Sequence, residues 1–171
     1  SEVFGLYFSN NLVWMGSGYQ GLSVWDGKNM FNYAGEKLRD EHAQGFFRDE
    51  KNNLFVLSDG GLTQVKNPDN PSALEFDYFP WKIAIGGQFL KIFDYAVLKD
   101  NAIYLATNFG VVYFNGDTLL EVETDNALLN DALITSFALQ DNQTIWLATG
   151  NDGLFKIQPD KTKARVLEHL S

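Results

Sequence analysis

A chain of 171 residues with a formal charge of −9 and no cysteine has the size of one domain or of a short array of repeats. Hydrophobic residues make up 45% and charged residues 20%, a balance that excludes intrinsic disorder. The 22 acidic against 13 basic residues argue against a nucleic-acid or anionic-membrane partner, and the missing cysteines exclude a disulfide framework, thiolate chemistry and Cys-based zinc sites. No run of about 18 apolar residues is present, so this segment is not expected to insert in a membrane. Ser1-Glu2-Val3-Phe4 lacks the basic-then-apolar order of a leader peptide, and none is expected there.

Fourteen Phe, seven Tyr and four Trp fall in short apolar bursts separated by Gly, Asn and Asp, the texture of many short β-strands. In chain order, strands are predicted over 3–8, 12–17, 22–25 and 29–33. The same set returns over 45–48, 53–58, 62–65 and 74–78, then 93–98, 102–107, 111–114 and 119–123, and finally 134–139, 144–149, 154–157 and 164–167. Within each set a turn bearing Asn or Asp joins the first two strands: Asn10-Asn11, Asn52-Asn53, Asp100-Asn101 and Asp141-Asn142. Such residues tolerate positive φ and bond their own backbone. Asp26-Gly27 and Asn115-Gly116 are two-residue turn signals between the third and fourth strands. A single turn of helix is expected around Ala127-Leu128-Leu129.

These sets are copies of one pattern. The second strand reads aliphatic, aromatic, aliphatic, small, hydroxyl, with Trp14, Phe55, Tyr104 and Trp146 as its central aromatics. A glycine follows each time, Gly21, Gly61, Gly110 and Gly153, just before the third strand. The aromatics lie 41, 49 and 42 residues apart, the period of a four-stranded propeller blade. The expected fold is therefore all-β, an array of four four-stranded antiparallel blades forming one domain, with blades near 1–35, 36–85, 86–128 and 129–171. The aromatic acts as a wedge between neighbouring blades, and the glycine supplies backbone freedom at a tight loop. Blades are stable only when stacked. With the first strand opening at Val3 and the last closing at Leu167, no strand is exchanged to close a ring. A larger propeller, supplied by adjoining blades, or self-association that completes one is expected.

The run from Ile134 to Ile157, with Ile145-Trp146-Leu147-Ala148-Thr149 and Gly153-Leu154, resembles the two-component regulator propeller repeat. Trp14-Met15-Gly16-Ser17 with Gly21-Leu22 repeats the resemblance, and Asn126-Ala127-Leu128-Leu129-Asn130-Asp131 is similar to that family's connection between blades. Trp25-Asp26 is a single instance, which counts against a WD-type propeller. The resemblance implies the periplasmic sensor region of a bacterial histidine kinase or hybrid regulator, a non-catalytic segment for signal transduction that binds a ligand such as a glycan fragment. Alternatives are a protein-interaction scaffold and a propeller lyase or hydrolase.

For chemistry the chain offers little. Its two histidines, His42 and His169, make neither a metal site nor a triad, and no loop spaces oxygen ligands for calcium. Neither a metal nor a cofactor is expected, and no catalysis; His42, near Arg39, Asp40 and Glu41, is the lone candidate for an enzymatic role. The side of the blades carrying the loops between second and third strands and the blade connections is expected to bind. It offers Tyr19, Gln20, Arg39, His42, Trp81, Gln88, Phe109, Asn130, Asp131, Asn151 and Asp152, stacking faces and hydrogen-bonding groups suited to an oligosaccharide or other small polar ring. The compact turns opposite offer less. Most of these side chains also have a plain reading as turn or packing residues.

Overall fold

The computed structural model describes residues 2–34, 38, 42–81 and 88–171. The chain divides into two compact units, Ser1–Pro80 and Trp81–Ser171. Unit one holds two antiparallel meanders: β1 (Val3–Ser9), β2 (Leu12–Ser17), β3 (Leu22–Trp25) and β4 (Met30–Tyr33), then β5 (Ala43–Arg48), β6 (Leu54–Ser58), β7 (Gly61–Val65) and β8 (Phe76–Pro80). Unit two holds β9 (Ile92–Leu98), β10 (Ala102–Thr107), β11 (Gly110–Phe114) and β12 (Leu119–Glu121), then β14 (Ile134–Leu139), β15 (Ile145–Thr149), β16 (Leu154–Asp160) and β17 (Lys163–Leu170). A two-residue strand, β13 (Glu123–Thr124), pairs parallel with β17. The fold is all-β, four antiparallel four-stranded sheets, as the repeats require.

The turns form where the sequence places residues that accept positive φ. Asn10, Asn11, Asn52, Asp100 and Asn101 all take φ between +52° and +67°. Asp26 closes its turn by accepting the backbone N–H of Lys28 and Asn29, at 2.8 and 2.7 Å, and these bonds hold its carboxyl below the ordinary carboxylate range. Asp141 behaves alike, accepting from Gln143 N–H at 2.8 Å. Asp49 is a buried carboxylate. It accepts from Lys51 N–H, Asn53 N–H and Asn53 Nδ2 at 3.0, 2.8 and 2.8 Å.

Within each unit one sheet stacks on the next, with β1 beside β5 and β9 beside β14. In unit one, Trp14, Leu22 and Val24 pack against Phe46, Leu54, Val56 and Val65; the Trp14 and Phe46 rings lie 6.3 Å apart. In unit two, Tyr104, Ala96 and Ala106 pack with Ile145, Leu147, Phe155 and Ile157. The wedge role holds for Trp14 and Tyr104, which are buried against the next sheet of their own unit; Phe55 is buried as well, stacked on Phe47 of its own sheet with ring centres 5.1 Å apart. Trp146 departs from it: its ring is half-buried, its Nε1 donates to Gln140 Oε1 at 3.0 Å, and Lys156 Nζ lies 5.6 Å from its centre.

Several expectations differ from the structure. Among the described residues a 3-10 turn lies at Lys99–Asn101, while 127–131, where a helical turn was expected, form a plain turn. In the second repeat, positive φ belongs to Gly60, not Gly61. Gly61 is glycine for a different reason: a Cβ there would strike the Phe79 carbonyl oxygen. The outer strand expected over 119–123 stops at Glu121, because Val122 is buried in the unit-two core. Its N–H still bonds Val111 O at 3.0 Å, but Glu123 N–H reaches Thr162 O at 2.9 Å on the neighbouring sheet. The last outer strand runs to Leu170 rather than Leu167. Of the expected blade breaks, 35/36 and 85/86 lie outside the described residues.

Candidate functional site

In unit one the loop between β2 and β3 is closed by Ser17, whose N–H bonds Gly21 O at 3.0 Å and whose Oγ accepts from Gln20 N–H at 2.7 Å. This leaves the side chain of Tyr19 78% exposed. The connection into β5 brings His42 beside it, ring centres 5.1 Å apart and inclined 65°. Ser17, Gly18, Tyr19 and Gln20 with Glu2 line a shallow hollow of about 290 Å³. The structure therefore joins Tyr19, Gln20 and His42. Arg39, Asp40 and Glu41 lie outside the described residues.

Unit two gathers Phe109, Asn130 and Asp131 along a groove of about 450 Å³ that Glu121, Glu123 and Lys163 also line. Gly110 N–H donates to Ala132 O at 2.7 Å and fixes the approach of loop and connection. Asn130 already has structural work: its Oδ1 accepts from Thr124 N–H and Thr124 Oγ1 at 3.0 and 3.2 Å. Asn151 and Asp152 do not line that groove. Asp152 N–H caps onto Thr149 Oγ1 at 2.8 Å, and its carbonyl meets His169 Nε2 at 2.7 Å, with the imidazole stacked 3.9 Å over Phe155. Trp81 is half-buried, its indole N–H meeting no acceptor among the described residues, and Gln88 is exposed.

The opposite side of unit two holds what sequence reasoning passed over. Turns of both sheets there enclose a cleft of about 820 Å³, lined by Lys99, Asp100, Asn142, Gln143, Asp160, Lys161, Lys163 and Arg165 among others. Tyr104 forms part of its wall, and burial pushes that phenol up to about 12. The signal was present in the alternation Lys161-Thr162-Lys163-Ala164-Arg165, which places cations at the head of the last strand of an acidic chain. The long connection through Asn67 and Pro71, by contrast, is structural. Tyr33 Oη donates to Pro71 O at 2.8 Å and accepts from Leu74 N–H at 3.1 Å.

Among the described residues no group of three or more His, Cys, Asp or Glu could hold a metal ion, and no helix is long and apolar enough to cross a membrane. No protein family and no curated protein matches the sequence. Solved structures do. The whole chain superposes on 27% of PorZ, a bacterial surface component of the type-IX secretion system of Porphyromonas gingivalis, with a TM-score of 0.74 and 15% identity. It superposes equally completely on 23% of the extracellular domain assigned to the hybrid two-component system BT4673 of B. thetaiotaomicron, with a TM-score of 0.73 and 17% identity. It also matches virginiamycin B lyase from Staphylococcus aureus over 97% of this chain and 55% of that one, at 0.70 and 9%. The sheets are propeller blades. The chain spans about a quarter of the length of the first two proteins and about half that of the lyase, so both sensor and enzyme propellers share this fold.

Proposed function

We propose that the chain is a non-catalytic, ligand-binding propeller segment of an extracytoplasmic sensor, of the two-component regulator repeat kind, and that it takes a glycan-derived ligand. The observation that carries the reading is the exposed Tyr19 ring, held edge-on by His42 and flanked by Gln20 over an open hollow. An exposed aromatic offers a face on which the apolar side of a sugar ring stacks, while neighbouring amide and imidazole groups take its hydroxyls. The likeness to an extracellular sensor domain supports the same reading at the level of fold. Calorimetric titration with neutral and acidic oligosaccharides tests it. Tyr19→Ala is expected to weaken binding about tenfold, the scale of about 1.4 kcal/mol for one aromatic contact, and Lys161→Ala to leave it unchanged.

A second reading places a polar ligand in the cleft of unit two, where Lys99, Lys161, Lys163 and Arg165 stand among Asp100, Asp125 and Asp160. Binding lost in Lys161→Ala and kept in Tyr19→Ala would favour it. Failure of every oligosaccharide to bind would defeat both.

A further inference from the structure

We propose that two sheet faces of this chain, one on the first sheet and one on the last, bind each other between copies, head to tail. Each stacked pair inside the chain uses one rule. The face carrying the second-strand aromatic of one sheet docks on the opposite face of the next, Trp14 on Phe46, Leu54 and Val56 in unit one, and Tyr104 on Ile145 and Leu147 in unit two.

Register shows which faces remain. Trp14 pairs with Tyr7, and Phe55 with Phe47. Leu6, Val13 and Met15 of the first sheet therefore hold the positions that Phe46, Leu54 and Val56 hold in the second. That receiving face of the first sheet has no partner within unit one: Leu6 is 73% exposed, Phe8 68%, Met30 52% and Trp25 43%. The cross-strand row Phe8, Val13, Trp25, Met30 and the row Leu6, Met15, Ser23, Asn32 contain no charged residue, although the chain carries −9. At the other end, Trp146 is the counterpart of Trp14 and Tyr104. Its face runs through Leu154 and Leu170, 46% and 49% exposed, and also carries Lys156, opposite Trp146, and Glu168, opposite Lys156.

An uncharged apolar sheet face this broad marks an interaction surface. Its occupant is set by the contacts the chain already makes: the receiving face is shaped for an aromatic-bearing blade face, and the last sheet of a second copy presents one. The contact is heterologous, so it repeats until it closes.

Sedimentation of the 171-residue chain across the micromolar range tests this independently of any ligand. The wild type is expected at two or more chains per particle. Phe8→Asp and Trp146→Asp are each expected to be monomeric with unchanged circular dichroism. Their equimolar mixture should associate again, because one intact receiving face then meets one intact aromatic face. Leu6→Arg and Leu154→Arg repeat the test at positions whose exposure makes misfolding no issue. A monomeric wild type would overturn the proposal, the faces then belonging to another occupant such as further blades. So would like-to-like pairing, seen as association that survives Trp146→Asp, or a mixture that stays monomeric.

Discussion

Trp14 and Trp146 occupy the same place in the repeat pattern and differ in surroundings, so truncating each to alanine separates burial from pattern. Trp14 is fully buried. An aromatic side chain of its class buries roughly 150–250 Å², worth about 4–6 kcal/mol at about 25 cal/mol per Å². Truncations of this kind cost about 3–5 kcal/mol once partial collapse is allowed for. The indole N–H of Trp14 meets no acceptor among the described residues, and an unmet buried donor already costs about 1–3 kcal/mol. Trp14→Ala should therefore fall near the lower end, about 3 kcal/mol. Trp146 leaves a dent open to water rather than a cavity. Its loss removes part of one ring's burial, an exposed bond to Gln140 and the Lys156 contact, together about 1–1.5 kcal/mol. Urea unfolding followed by circular dichroism, at the lowest workable concentration so that no second chain covers Trp146, gives both values. Equal losses, or a larger loss for Trp146→Ala, would refute the assignment of Trp14 as the enclosed wedge.

Gly21 and Gly27 both take positive φ, +69° and +95°, but a Cβ on Gly21 would strike the Tyr33 carbonyl oxygen while one on Gly27 meets nothing within 4 Å. Gly27→Ala should cost about 1 kcal/mol for the left-handed backbone alone, and Gly21→Ala at least twice that by thermal melting; equal costs would dismiss the steric argument. Asp49→Ala removes the acceptor for three donors and should cost about 2–3 kcal/mol, with Asp49→Asn recovering part of it in the same urea assay. The Tyr104 phenol, raised to about 12 by burial, favours the folded state while protonated. That contribution is intact below about pH 10, the unfolded value, and is lost as pH rises towards 12. Phenolate absorbance should show the Tyr104 phenol titrating late, and complete titration by pH 10.5 of a chain with native circular dichroism would contradict it.

What was legible in the sequence is what local chemistry decides. Asn10, Asn11, Asn52, Asp100 and Asn101 mark their own turns because positive φ is a property of the residue and its neighbours. The outer strands are decided elsewhere. The second outer strand lies over Phe76–Pro80 rather than 74–78, since Leu74 is held in the core with its N–H on Tyr33 Oη. The slip is two residues, so every side chain keeps its face. Glu123–Thr124 joins the last sheet in parallel, a pairing that no local pattern encodes. The candidate sites divide in the same way. Tyr19 was visible as a loop aromatic, but its meeting with His42 depends on the stacking of two sheets. The cleft of unit two collects Lys99, Asn142 and Lys161 from three separate turns, and its sequence trace was only the spacing of Lys161, Lys163 and Arg165.

The first sheet carries one substitution of the pattern that bears on its free face. Register makes Phe8 the counterpart of Arg48, since Phe8 pairs with Val13 as Arg48 pairs with Leu54. In the second sheet, which is already docked, Arg48 folds back so that Nη1 donates to Asn52 O at 2.7 Å in its own turn. At the same place on the undocked face stands a phenylalanine, 68% exposed. A side chain facing only water gains nothing from being apolar there, and burying it removes one of the larger areas the sheet exposes. The face that lacks a partner in unit one is thus more apolar at this position than the face that has one. Charge at position 8 should therefore act on association first and on folding little, and Phe8→Arg, which restores the residue type of the docked sheet, should dissociate the particle while leaving the melting temperature of the monomer unchanged.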